Sequence, residues 1–241
     1  MQTGLYVGVS SQIALEKRMN TLADNVANST TVGFRATEVK FNTVLGDTKP
    51  NKVAFVGEGA EFLNTKSGGL SHTGNTLDVA IKGDAWLSIE TPAGPALTRD
   101  GRFSLTETGD LVTLRGYPVL DAGGAPIQLN ANAGEISIAN DGAIRQNGNQ
   151  VAALGLYEAN FANGFSRYDN SAILPNAASE PVVDRMDVGV MQGYVEESNV
   201  NPVQEMSQLI TVSRAFESIA SLLRDSETSL DEAIKTLGGS K

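Results

Sequence analysis

From Val203 to Leu237 the chain carries a large apolar residue at every seventh position: Leu209, Phe216, Leu223, Leu230 and Leu237. A strict seven-residue repeat lays one narrow seam along a long helix, the pattern of a coiled coil. A weaker register interleaves with it at Met206, Ser213, Ala220, Glu227 and Ile234. Ile210, Val212, Ile219 and Leu222 fall outside the stripe and are expected to serve neighbouring subunits. The N-terminal stretch carries a shorter version at Leu5, Leu15, Met19, Leu22 and Val26, interrupted by Gly8 and Gln12. An amphipathic helix ordinarily covers its own domain's core. Five positions in strict heptad phase favour zipping between helices instead.

Between these ends the pattern changes. Residues 3–28 read as helix, ended by Asn25, Asn28, Ser29 and Gly33, which compete for backbone hydrogen bonds or tolerate positive φ. Loops are marked at Gly46-Asp47 and Lys49-Pro50-Asn51. From Leu77 the period becomes two, with Leu77, Val79 and Ile81 alternating with Asp78, Ala80 and Lys82. Turn pairs then recur, among them Gly83-Asp84, Asp100-Gly101, Asp141-Gly142 and Asn147-Gly148, separated by short strand-like runs. That spacing predicts antiparallel hairpins. Gly101 is expected at positive φ, and residues 160–185 read as a polar excursion with little regular structure. Asn199 to Pro202 mark the start of the C-terminal helix. The chain thus divides into an N-terminal helical segment (1–35), an extended linker with short strands (36–76), a β-rich domain (77–198) and a C-terminal helix (199–241). The fold class is α+β: long N- and C-terminal helices packed as a coiled-coil-like pair, bracketing an antiparallel all-β domain.

Little in the chain offers chemistry. Cysteine is absent, which removes disulfides and thiolate catalysis. One histidine, His72, stands in a polar run and reads as a surface residue. Neither a zinc pattern nor a phosphate-cradling Gly-rich loop is present. Asp100, Asp110 and Asp141 stand beside glycine as turn residues. The reading is therefore not an enzyme, with no cofactor, no metal and no small-molecule ligand. A net charge of −10 disfavours nucleic acid. No run is long and apolar enough to insert in a bilayer. The start, MQTGLYVGVSSQIALEKR, lacks a basic n-region, a continuous apolar core and a cleavage site. It is read as cytosolic or as leaving by a route that needs no cleaved signal.

Three stretches carry a resemblance. Residues 21–35, TLADNVANSTTVGFR, include Asn25, Asn28, Gly33, Phe34 and Arg35. Residues 73–105 contain a Gly-Asp turn and the run Thr98-Arg99-Asp100-Gly101-Arg102-Phe103. Residues 194–218, YVEESNVNPVQEMSQLITVSRAFES, lead from Ser-Asn-Val into a long helix. In this order they resemble the bacterial flagellar rod and hook proteins, and the linker at Val53–Gly57 and Thr65–Gly74 resembles a proximal rod subunit. The resemblance implies a structural subunit of the basal-body rod, the helical drive shaft that transmits motor torque toward the hook. Its terminal helices would be axial, forming the inner tube, and its β domain the outer shell. Its partners would be other rod subunits, further copies of itself and the flagellar type III export apparatus, which passes the chain unfolded without a cleaved signal. A heterologous, non-closing contact is what generates such a filament. The alternatives are a distal rod or hook-type subunit, or a β-domain binding module on a coiled-coil stalk.

Overall fold

The computed structural model describes residues 2–46, 53–57, 59–183 and 185–239. The loop expected at Lys49-Pro50-Asn51 lies outside them. The chain is α+β and forms two compact units. One gathers the residues up to Ala27, Thr37–Glu61 and those from Asn201 onward; the other gathers Asn28–Ala36 and Phe62–Val200.

The helical unit is built on α1 (Gln2–Ala27) and α2 (Pro202–Gly238). α2 starts where its capping residues dictate. Asn201 is extended at φ −93°, its side chain accepts from Gln204 N, and Pro202 takes the first turn, where a missing N–H costs nothing. The two helices lie side by side and antiparallel. Arg18 Nη2 donates to Gln208 Oε1 at 3.5 Å and Asn25 Nδ2 donates to Glu205 Oε2 at 3.1 Å, while Gly8 lies at the other end beside Leu223. Gly8, an interruption in the sequence pattern, is a close approach: a Cβ there would sit 2.7 Å from Leu223 Cδ2. On α2 the covered positions run Leu209, Val212, Phe216, Ile219, Leu223, a 3–4 alternation. Val212, left outside the stripe by the sequence pattern, is the buried residue of α2. A hairpin of Thr43–Gly46 and Val53–Val56 completes this unit against α1.

The β unit is antiparallel throughout its named pairings. A six-stranded sheet runs in the order Phe165–Tyr168, Ala172–Pro175, Gly94–Thr98, Trp86–Thr91, Leu156–Glu158, Glu180–Pro181. Its central hairpin turns on Pro92-Ala93, with Thr91 opposite Gly94. The predicted Asn147-Gly148 turn joins Ala143–Gln146 to Asn149–Ala153 with φ of 51° and 79°, the positive pair a two-residue hairpin requires. The main apolar core extends from Val79 to Val190 and includes Leu87, Ile89, Leu111, Val119 and Ile144. Residues 160–185 are more regular than the sequence suggests. They contribute three sheet strands and a short 3-10 turn, the first two strands joined through Asp169 at φ 57°. Ile173 is buried there, in an apolar cluster with Leu63, Trp86, Leu97 and Phe161.

The last two strands before α2 close back on early ones. Gly189–Gln192 pairs with Val79–Lys82, and Tyr194–Glu196 pairs with Leu70–His72. Residues distant in sequence thereby meet within the β unit.

Candidate functional site

In the β unit the residues that follow α1 meet the residues that precede α2. Gly33 holds φ +70°, and its N–H donates to the Glu196 carbonyl at 2.7 Å. Its missing side chain lets the segment lie against the Arg99–Asp100 backbone; a Cβ would come 2.7 Å from Asp100 Cα. Phe34 is then buried, with the Arg167 guanidinium 4.4 Å from its ring centroid.

Arg35, Arg99 and Glu196 are each about 1% exposed and form one ionic cluster. Arg35 Nη2 lies 2.6 Å from Glu196 Oε1, and Arg99 Nη1 lies 3.1 Å from Glu196 Oε2. Gly68 N donates to Glu196 Oε1 at 2.9 Å. Arg99 also donates to the carbonyls of Ile81 at 3.3 Å and Gly83 at 2.7 Å, and Arg35 to that of Lys66. Both guanidiniums lie over Trp86, at 5.9 Å and 5.3 Å from its ring centroid. The Nε atoms of both arginines lack hydrogen-bond partners. Burial, helped by the neighbouring Arg35 charge and opposed by Glu196, pulls Arg99 down to about 10. Burial also lowers Arg35, again against Glu196. Such a cluster does little for net stability, because desolvation offsets attraction, but removing one partner strands a buried charge.

Two asparagines act as backbone substitutes, one in each unit. Asn25 is buried on α1; its Oδ1 accepts from Thr37 N at 3.0 Å and its Nδ2 donates to Thr37 O at 2.9 Å, as a strand would. In the β unit Asn199 accepts from Ala36 N at 2.7 Å and donates to Asn64 O at 3.0 Å and Lys66 O at 2.9 Å. Asn28 is half-buried and accepts from the Thr31 hydroxyl at 3.1 Å.

The Thr98–Phe103 run is a tight turn built residue by residue. Thr98 Oγ1 accepts from Asp100 N at 3.0 Å, and the Asp100 carboxylate pairs with Arg102 at 2.6 Å. Gly101 is not at positive φ, contrary to the sequence expectation. It is glycine because a Cβ would collide with the Val79 carbonyl, on a segment whose Val79 N donates to Gly101 O at 2.9 Å. Phe103 then enters the core.

The seam residues are distributed as follows. Leu22 is buried; Leu5, Leu15, Met19, Val26, Leu209, Phe216, Leu223 and Leu230 are half-buried; Met206 and Leu237 are exposed, the latter at 86%. Tyr6, Val9 and Ile13 on α1, and Val203, Ile210 and Leu222 on α2, are also exposed. The helix pair therefore leaves an apolar flank uncovered. Sequence reasoning did not single out Glu196, Arg99 or Asn199 as site residues. The signal available was a pair of charges inside otherwise apolar or turn runs.

His72 is exposed, edge-on to Tyr194 at 4.8 Å. Among the described residues no group of three or more His, Cys, Asp or Glu side chains could hold a metal ion, and no helix is long and apolar enough to cross a membrane.

Comparison with known proteins places these features. Three family models match: the flagella basal body rod protein over residues 5–35, the flagellar hook protein FlgE/F/G D1 domain over 80–146, and the flagellar basal body rod FlgEFG protein C-terminal over 191–236. The chain is 73% identical to the flagellar basal-body rod protein FlgF of Rhizobium meliloti, over 100% of both chains. It is 55% identical to the FlgF of Mesorhizobium japonicum over 99% of both, and 33% identical to that of Caulobacter vibrioides over 99% of both. The first model covers most of α1 and the Gly33–Arg35 root, the second the Thr98–Phe103 turn, and the third Glu196 and most of α2. The chain therefore belongs to the flagellar basal-body rod protein family, FlgF type, whose members are structural subunits rather than enzymes.

Proposed function

We propose that this subunit forms part of the proximal rod, the segment of the drive shaft nearest the motor, and that it joins the rod through its terminal helices. The observation that carries this reading is the uncovered apolar flank of the α1–α2 pair: Tyr6, Val9, Ile13, Ile210 and Leu222 are exposed on a chain related to rod proteins. Fully burying one such side chain is worth about 1.5–3 kcal/mol, so a few suffice to hold a neighbour once several contacts act together. Coiled-coil-like packing along Leu209, Phe216, Leu223 and Leu230 fits this reading, with the seam continuing into adjacent copies beyond Leu230. The chain would reach the rod through the type III export apparatus. A shaft carrying torque needs many distributed contacts, which a long flank provides better than a single pocket.

A strain lacking this chain tests the assignment. Its basal bodies should stop before the rod is complete, with no hook. A complete rod and hook in that strain would contradict the reading.

A further inference from the structure

Trp86 is the chain's one tryptophan, and it is buried. Phe161 meets its ring edge-on at 5.2 Å, and the two guanidiniums of Arg35 and Arg99 lie over it. The main apolar core runs from Val79 to Val190 and uses nothing C-terminal to Val190. It can therefore assemble without Tyr194–Glu196. The two guanidiniums cannot be buried together without a counter-charge, because each loses its hydration and repels the other. The neighbouring Asp84 lies 4.0 Å from Arg99 with its side chain 73% exposed, so it offers little desolvated compensation. Glu196 touches both arginines from within the pocket.

We propose that the β unit closes in two steps and that Glu196 is the latch of the second: the apolar body forms first, and the pocket around Trp86 stays open to water until the last strand brings one carboxylate between two guanidiniums. The same event docks Gly33 and Arg35, since one binds the Glu196 carbonyl and the other its carboxylate. Residues that follow α1 and residues that precede α2 are joined through Glu196. For a chain delivered from its N-terminus, that delays closure until residue 196 has arrived. The delay itself does not depend on the rod assignment.

Refolding of the full chain from denaturant, followed by pulse-labelled hydrogen exchange and Trp86 emission, tests this. Amides of Trp86–Thr91 and Gly94–Thr98 should gain protection before those of Gly33 and Gly68, with Trp86 emission changing in the later phase. In Glu196→Gln the hairpin amides should stay protected while Gly33 and Gly68 exchange at least a hundredfold faster, about the effect of stranding a buried charge at its low end. Acrylamide should then quench Trp86. Replacing the cluster by apolar residues (Arg35→Met, Arg99→Met, Glu196→Leu) should bury Trp86 again and merge the two phases. A single phase in the wild type overturns the proposal whatever the variants do. So does a Glu196→Gln chain whose Trp86 is as shielded as in the wild type, or one that loses hairpin protection together with Trp86 burial.

Discussion

At Gly101 the demand for glycine comes from space rather than from backbone angle. The sequence marks Asp100-Gly101 as a turn, but it cannot tell a positive φ from a close approach; that depends on the Val79 carbonyl, more than twenty residues away. Gly101→Ala should therefore destabilise the β unit by about 1–3 kcal/mol, the usual cost of overpacking. Gly116 is the contrast: it holds φ +84° with nothing within 4 Å of its missing Cβ. Gly116→Ala should cost only its backbone strain, about 1 kcal/mol. Thermal melts of both variants separate the two causes; equal losses would refute the close-approach account. Asn25 makes a related point. The sequence marks it as a helix stop, yet it stays inside α1 and pairs with Thr37 on both backbone groups. Asn25→Asp would place a carboxylate beside Glu205 and against the Thr37 carbonyl, so helix-pair stability should fall by about 2–3 kcal/mol. Denaturant titration followed by helical circular dichroism reads that loss.

At the scale of elements, the helices were legible because periodicity is a local property. The heptad at Leu209, Phe216 and Leu223 lies on the covered side of α2. Its companion positions were harder. Val212 and Ile219 complete the 3–4 alternation, and only the antiparallel register with α1 distinguishes them from Met206. The Asn147-Gly148 hairpin was legible for the same local reason. The strands at Phe165–Tyr168 and Ala172–Pro175 were not, since the pairing of the second with Gly94–Thr98 is a long-range event and the turn between them is carried by Asp169 rather than glycine. The Arg35–Glu196–Arg99 cluster was invisible in the same sense: charges far apart in the chain reveal themselves as partners only when folded. On α2, Leu223→Asp should break the helix pair, because Leu223 packs on Gly8. A buried carboxylate there costs several kcal/mol, and helical circular dichroism should show early loss of α2 while the β unit melts unchanged.

For the whole molecule, the division into two units predicts how the free subunit breaks down. Residues 28–36 follow α1 in sequence but belong to the β unit, where Phe34 and Arg35 are buried. Limited proteolysis of the monomer should remove α1 and α2 and leave residues 28–36 protected and bound to the β fragment, identified by mass spectrometry. A fragment set lacking Phe34 and Arg35 would contradict that placement.

The central claim is that the exposed flank of the helix pair, rather than its covered seam alone, builds the rod. Leu222 and Arg224 are both exposed on α2, but only Leu222→Asp puts a charge where an apolar side chain stands, Arg224 being charged already. Leu222→Asp should leave the subunit folded and exported, since exposed substitutions usually change stability by less than about 0.5 kcal/mol. The most direct measurement is swimming, with rods counted in isolated basal bodies, for strains carrying Leu222→Asp or Arg224→Asp at equal secreted subunit. The account predicts incomplete rods and no swimming for Leu222→Asp, and near-normal rods and swimming for Arg224→Asp. Normal swimming by the Leu222→Asp strain, or equal loss in both, would contradict it.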